Sequence, residues 1–424
     1  MNIKFPDNFL WGAATSSHQV EGDNFFNDWW NEEKKGHTSP SGKACDHYNR
    51  FKEDFILAKN LGHNAHRLSL EWSRLEKNEG LWDEEEWLHY KAVISQLLEL
   101  NIEPIITLNH FTLPLWLAKQ NGWLNPKTID LFARFALKAL QELGGLVRYW
   151  ITINEPHILA FLGYSKGLWP PYGKKDEHAL LVLKNMLKSH AITYCQMHKY
   201  SRDTLDTQIP KIGLAKAVTA FHPCRNFSIL DRLAVKNRNE FYNHSFILSL
   251  INGEINIPGI RKEKLICENT LDFIGLNYYF RQFIHHGKNP IKNTMGRICS
   301  LDHHNKAGKS TDMGWEIYPK GIYETTKDFA RYGLPLMITE NGVATTDDNL
   351  RSFYIKEHLQ NLLLAAKKGV PIIGYIHWAL LDNFEWAEGY SKRFGLIQID
   401  YKSQDRIIKN SARYYSSIIK KGTV

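Results

Sequence analysis

Two glutamates occupy positions from which they could do chemistry. The apolar run Tyr149-Trp150-Ile151-Thr152-Ile153 ends in Asn154-Glu155 and is stopped by Pro156. A second run, Leu336-Met337-Ile338-Thr339, ends in Glu340-Asn341 and a glycine turn at Gly342. Core packing does not place a carboxylate at the tip of an apolar strand. A lone strand-tip glutamate usually only hydrogen-bonds a neighbouring loop. Two of them, each beside an asparagine, suit the cleavage of a glycosidic bond. One carboxylic acid protonates the departing oxygen, and one carboxylate stabilises or attacks the oxocarbenium-like carbon.

Such a pair must be held face to face by the elements around it. Short β-rich apolar runs recur at residues 9–17, 65–72, 104–110, 148–155, 211–218, 272–279, 336–341 and 372–379. Helical periodicity fills most of the gaps, at 48–60, 86–100, 126–143, 178–200, 230–250, 319–332 and 349–368. Strands alternating with helices imply parallel βαβ units. Eight of them fit an α/β chain closed into a (β/α)8 TIM barrel with elaborated βα loops, read as one catalytic domain over 1–424. An open doubly wound sheet would call for a glycine-rich phosphate turn after an early strand, and none occurs. In a barrel, Glu155 and Glu340 end the fourth and seventh strands on the same rim, where βα loops build active sites. The long irregular stretch 281–313 would wall that rim.

Composition narrows the remaining classes. The chain has 424 residues, 43% hydrophobic and 23% charged, so disorder is excluded. Its 13 tryptophans supply flat apolar faces with a polar handle, which sugar clefts use. The net charge of +8 is spread over isolated pairs such as Lys34-Lys35 and Lys174-Lys175. Nucleic-acid readers concentrate their charge on one face, so no nucleic-acid partner is expected. Cys45, Cys195, Cys224, Cys267 and Cys299 are odd in number and far apart, which argues against a disulfide framework or a cysteine–zinc site and fits a reducing compartment. His285-His286 and His303-His304 lack the i, i+4 spacing of a helical metal site and read as exposed loop polars. The N-terminal MNIKFPDNFLWGAAT has no apolar core of a signal peptide, and no run is long enough to span a bilayer. The expectation is a cytoplasmic protein with no membrane partner, no metal and no cofactor.

The whole chain resembles the glycoside hydrolase family 1 β-glycosidases. Phe9-Leu10-Trp11-Gly12-Ala13-Ala14-Thr15-Ser16-Ser17-His18-Gln19-Val20-Glu21-Gly22 is similar to that family's N-terminal signature. Thr152-Ile153-Asn154-Glu155-Pro156 resembles its acid/base motif, and Ile338-Thr339-Glu340-Asn341-Gly342 its nucleophile motif. His377-Trp378-Ala379-Leu380-Leu381-Asp382-Asn383-Phe384-Glu385-Trp386, with Arg393-Phe394-Gly395-Leu396 after it, resembles the sugar-binding block.

The resemblance implies a retaining, exo-acting enzyme. Glu340 would attack the anomeric carbon, and Glu155 would serve first as acid, then as base. Arg67 and Tyr279 would orient and ionise Glu340, and Asn154 would hold the sugar 2-hydroxyl. Gln19, His110, Glu385 and Trp386 would read other hydroxyls, with Trp378 as the floor and Phe394 as a wall. Trp315 would face the aglycone. The ligand implied is a small β-glycoside or oligosaccharide, glucosides first, with galactosides, fucosides and mannosides open. The family's usual His-Trp is His110-Phe111 here, which removes an indole donor and points to a shifted epimer preference. Residues 108–117 and 314–319 are similar to archaeal-type members. Glu385 argues against 6-phosphorylated substrates, although the neighbouring Ser391-Lys392 keeps a 6-phospho-β-glycosidase as the alternative. The other alternative is a non-catalytic carbohydrate-binding relative. The presence of both glutamates and Arg67 speaks against it.

Overall fold

The computed structural model describes residues 4–204, 209–287, 293–299 and 309–424. Their strands are β1 (Leu10–Ala14), β2 (Ala65–Ser69), β3 (Glu103–Asn109), β4 (Tyr149–Asn154), β5 (Lys211–Pro223), β6 (Phe273–His285), β7 (Arg297–Ile298), β8 (Leu336–Asn341), β9 (Ile372–Trp378), β10 (Ile397–Ile399) and β11 (Arg406–Ile408). Parallel pairing runs β1–β2–β3–β4–β5–β6–β8–β9, and β9 pairs back onto β1. That closes an eight-stranded parallel barrel with helices between its strands, a (β/α)8 TIM barrel.

The barrel interior explains the strand sequences. Ala14, Ala65, Ile105, Ile151, Ala215, Phe273, Met337 and Ile376, one from each barrel strand, pack into a single buried cluster. Three alanines make room for the Phe273 and Met337 side chains, so the lumen is a filled plug rather than a pore. Trp378, Ala379 and Phe394 join the top of that plug. A larger cluster seals the outer faces of the strands to the helices. In Lys127–Leu143, for example, Phe132, Phe135, Ala136, Ala139, Leu140 and Leu143 are buried along one stripe.

The predicted strands are all present, but two are longer than expected. β5 and β6 pair past Val218 and Tyr279 as far as Pro223 and Ile284, and β7 adds an antiparallel strand to the overhang. Part of the stretch predicted as irregular over 281–313 is therefore sheet, and 288–292, 300–308 and the His303-His304 pair lie outside the described residues. The predicted helix over 230–250 is interrupted by a π-helical turn, Glu240–His244, between Ile229–Asn239 and Ser245–Asn252. The C-terminal helix Asn410–Lys421 was not expected from periodicity.

Two cysteine expectations are corrected. Cys195 and Cys267 form a disulfide 72 residues apart in sequence, a tertiary pairing that spacing does not reveal. Cys224 and Cys299 come together with His285, which is the last residue of β6 rather than an exposed loop polar. Among the described residues, no helix is long and apolar enough to cross a membrane.

Candidate active site

The barrel brings the two glutamates to one mouth. Glu340 is the fifth residue of β8, and its backbone registers with Asn277 of β6. The turn after it needs glycine, because a Cβ on Gly342 would stand 1.8 Å from the Trp378 carbonyl oxygen. Glu155 follows β4 directly, with its N–H donating to the Ala215 carbonyl of β5 at 2.8 Å. Its φ of 48° is left-handed, and Pro156 starts the helix Pro156–Tyr164 immediately after. Phe111 (φ 74°) and Trp386 (φ 50°) share this uncommon backbone conformation, and all three line the same cavity. Strained positions of this kind concentrate where a site must be held open.

Each carboxylate has its own company. Arg67 Nη1 donates to Glu340 Oε1 at 2.6 Å and to the Thr339 carbonyl at 3.1 Å. The guanidinium is fixed by Nε donating to Thr107 Oγ1 and Nη2 donating to Asn154 Oδ1. The Tyr279 hydroxyl donates to Glu340 Oε2 at 2.6 Å. Glu155 receives instead a neutral donor, Asn277 Nδ2, at 2.8 Å from Oε1. Thr339 holds that amide by donating to its Oδ1 at 2.6 Å.

The titration behaviour follows from these partners. Burial, reinforced by the Glu340 charge, raises Glu155 to about 8. Burial raises Glu340 as well, but the Arg67 cation and the Tyr279 hydroxyl pull against it. Glu155 is the member that holds its proton, and Glu340 the member poised to lose it.

Hydrogen-bond directions around Asn154 set the tautomer of His110. Asn154 Oδ1 accepts from both Arg67 and Asn277, so the opposite atom must be the amide nitrogen, and it lies 3.3 Å from His110 Nε2. An NH₂ donor facing Nε2 makes that nitrogen an acceptor and puts the ring proton on Nδ1. His110 Nδ1 is buried with no protein partner among the described residues, and the residue as a whole lines the cavity.

The cavity holds about 360 Å³. Asn154, Glu155, Glu340, Tyr279, His110, Trp378, Glu385, Trp386, Phe394 and Trp315 all line it. His110 stacks on Trp378 and on Trp386, and Trp315 packs against Phe280 and Tyr279. Arg67 and Gln19 are buried behind that lining. Gln19 acts on Glu385, donating to its Oε2 at 3.2 Å, while burial and the nearby Glu340 raise Glu385 to about 8. Ser391 and Lys392 are not brought to the cavity. Their side chains donate to the carbonyls of Glu388 and Asp312.

Sequence reasoning missed three participants. Asn277 touches Glu155 and Asn154. Lys216, fully buried on β5, donates to the Ala217 carbonyl and lies 4.3 Å over the Tyr242 ring; burial lowers it to about 7, against the pull of Glu155. Tyr242 enters the cavity wall from the π-helical turn, a distortion often found at functional sites. A lysine inside the apolar run Ile212-Gly213-Leu214-Ala215-Lys216-Ala217-Val218 was the available signal.

The profile described as "Glycosyl hydrolase family 1" matches residues 1–423 of this chain. A 1,4-β-D-glucan glucohydrolase of Thermotoga neapolitana is 35% identical, with 98% of each chain covered. Among solved structures, a β-glycosidase from Pyrococcus horikoshii matches with a TM-score of 0.92 at 36% identity, covering 100% of this chain and 96% of that one. A β-glucosidase from Thermotoga maritima in complex with glucoimidazole matches with a TM-score of 0.90 at 33% identity, covering 99% and 100%.

Proposed function

From the premise that this chain is a β-glycosidase of glycosyl hydrolase family 1, we propose that it removes single unphosphorylated sugars, glucose first, from the non-reducing ends of small β-glycosides with retention of configuration. The observation that carries this reading is the unequal treatment of two glutamates at one mouth. Glu340 is clamped by a cation and a phenol, while Glu155 is buried against a neutral amide.

Glu340 attacks the anomeric carbon, forming a glycosyl ester as the glycosidic C–O bond breaks. Glu155 delivers its proton to the departing oxygen. Ester formation erases the Glu340 charge, one of the causes that raise Glu155, so the Glu155 carboxyl becomes more acidic just when it must act as base. It then takes a proton from water, which attacks the ester and releases the sugar. Asn154 holds the 2-hydroxyl, His110 and Glu385 read the hydroxyls farther round the ring, Gln19 and Trp386 support them, and Trp378 takes the apolar face. Phe394 closes the sugar side, and Trp315 faces the aglycone.

A cavity of about 360 Å³ is a pocket's size rather than a long groove's, which favours exo action. Glu385 and Glu388 in the wall, with Ser391 and Lys392 bonded elsewhere, weigh against a 6-phosphate. The reading takes the chain as one catalytic unit working in the cytoplasm, a compartment that suits the thiols of Cys45, Cys224 and Cys299 better than the Cys195–Cys267 disulfide.

The test pairs two variants with azide on an activated aryl β-glucoside. Glu340→Ala should be inactive and yield the α-glycosyl azide, whereas Glu155→Ala should yield the β-glycosyl azide. Swapped products, or early α-glucose from the wild type by NMR, would overturn the roles. A panel of 4-nitrophenyl β-glycosides with and without 6-phosphate ranks the sugars.

A further inference from the structure

Away from the cavity, three soft ligands converge on the β5–β6–β7 overhang. Cys224 follows the last residue of β5, His285 ends β6, and Cys299 follows β7. The backbone sets their meeting. Cys224 N–H donates to the Ile284 carbonyl at 2.9 Å, and Cys299 N–H donates to the Phe283 carbonyl at 2.8 Å, so the two cysteines are registered to consecutive residues of β6 from its opposite edges. Their sulfurs lie 3.5 Å apart, and the three ligand atoms all fall within 4.8 Å of one another.

We propose that Cys224, His285 and Cys299 form a binding site for a thiophilic divalent cation of the zinc type, which clips β5, β6 and β7 together at the barrel rim. A tetrahedral zinc with Zn–S bonds of about 2.3 Å separates two thiolates by about 3.8 Å, close to the spacing already present. Two thiolates and an imidazole select zinc-like metals over magnesium or calcium, which prefer oxygen ligands. Two thiolates also balance the charge of a divalent ion. The buried Asp231 carboxylate lies 3.8 Å from His285 Nδ1, held in place by Arg225 and the His286 N–H. It is placed to orient the imidazole, as carboxylates behind metal-bound histidines do, or to approach as a fourth ligand. None of the three ligands lines the catalytic cavity, so metal binding and hydrolysis are separable.

The experiment titrates the intact, thiol-reduced protein with Co²⁺ and then Zn²⁺. One equivalent of Co²⁺ should produce a thiolate-to-cobalt charge-transfer band and the strong visible bands of a tetrahedral site, and one equivalent of Zn²⁺ should bleach them. Zn²⁺ should also protect Cys224 and Cys299 from alkylation, located by peptide mass spectrometry; this readout requires no variant. C224S/C299S should weaken Zn²⁺ binding at least 100-fold while keeping wild-type hydrolysis of an aryl β-glucoside, which shows that it folds. A weak octahedral cobalt spectrum unchanged in C224S/C299S would assign the metal to surface histidines and overturn the proposal. Unprotected thiols at stoichiometric Zn²⁺ would overturn it too.

Discussion

The Glu340 and Glu155 corners of the cavity start from the same side chain at the end of a barrel strand and arrive at different chemistry. Around Glu340, a guanidinium fixed by four hydrogen bonds and a phenol converge on both carboxylate oxygens. Around Glu155 the donor is an amide, and of the two cations that lower it, Arg67 is bonded to Glu340 while Lys216 is itself lowered to about 7 by burial. Burial acts on both corners alike. The neighbours set them apart, and the neighbours come from β2 and β6 for one corner and from β5 and β6 for the other.

The largest expected effect removes the charged clamp. Arg67→Met should lower kcat/KM by about 10³-fold, because a buried carboxylate left unpaired costs roughly 3–5 kcal/mol. The acid limb of the pH–rate profile should move to higher pH, since the cation is what pulls Glu340 down. An unshifted limb would mean that the two corners are not distinguished by Arg67.

Next in size is Glu155→Gln. The wild type should lose activity above about pH 8 as Glu155 ionises. On 2,4-dinitrophenyl glycosides, which need no acid for departure, the first step should survive in the variant without that alkaline limb. Stability gives a second reading. The Glu155 carboxyl favours the folded state below its unfolded value of 4.5, and that contribution is lost as pH rises toward its folded value of about 8. Glutamine does not titrate, so the variant should gain on the wild type across that window and level off above it, by about 5 °C in Tm for a shift of several pKa units. Thermal melts at pH 4.5 and 8.5 measure it, and a constant gap would contradict the raised value.

A smaller change is expected from Lys216→Met. Its cation lowers Glu155, so the alkaline limb should rise by about half a unit with kcat/KM near pH 6 changed about threefold or less. Smallest in total activity is Phe111→Trp, whose effect falls on selectivity. Restoring an indole donor beside His110 should move the glucoside-to-galactoside ratio of kcat/KM by about fivefold, the worth of one hydrogen bond of roughly 1 kcal/mol, with total activity little altered.

The barrel was legible because its strands are short apolar runs with helices between them. All eight were placed, and β8 was matched to the residue. The overhang was not, because Arg281, Gln282, His285 and His222 interrupt the apolar pattern with side chains that suit a loop equally well. The glutamates and the aromatics that line the cavity with them were legible through contiguous motifs. Asn277 and Lys216 were not, since each acts across strands on a partner remote in sequence. The Cys195–Cys267 disulfide and the Cys224–His285–Cys299 cluster were hidden for the same reason.

The left-handed backbone at Phe111, Glu155 and Trp386 also divides the cavity wall by how freely it can evolve. Branched side chains at Cβ are poorly accommodated there, and asparagine or glycine are the replacements the chain accepts most easily. Ile158, Leu162 and Leu168 line the same cavity from ordinary backbone. New substrate preferences should therefore arise through these three, and libraries aimed at them will retain more folded, active clones than libraries aimed at the constrained trio.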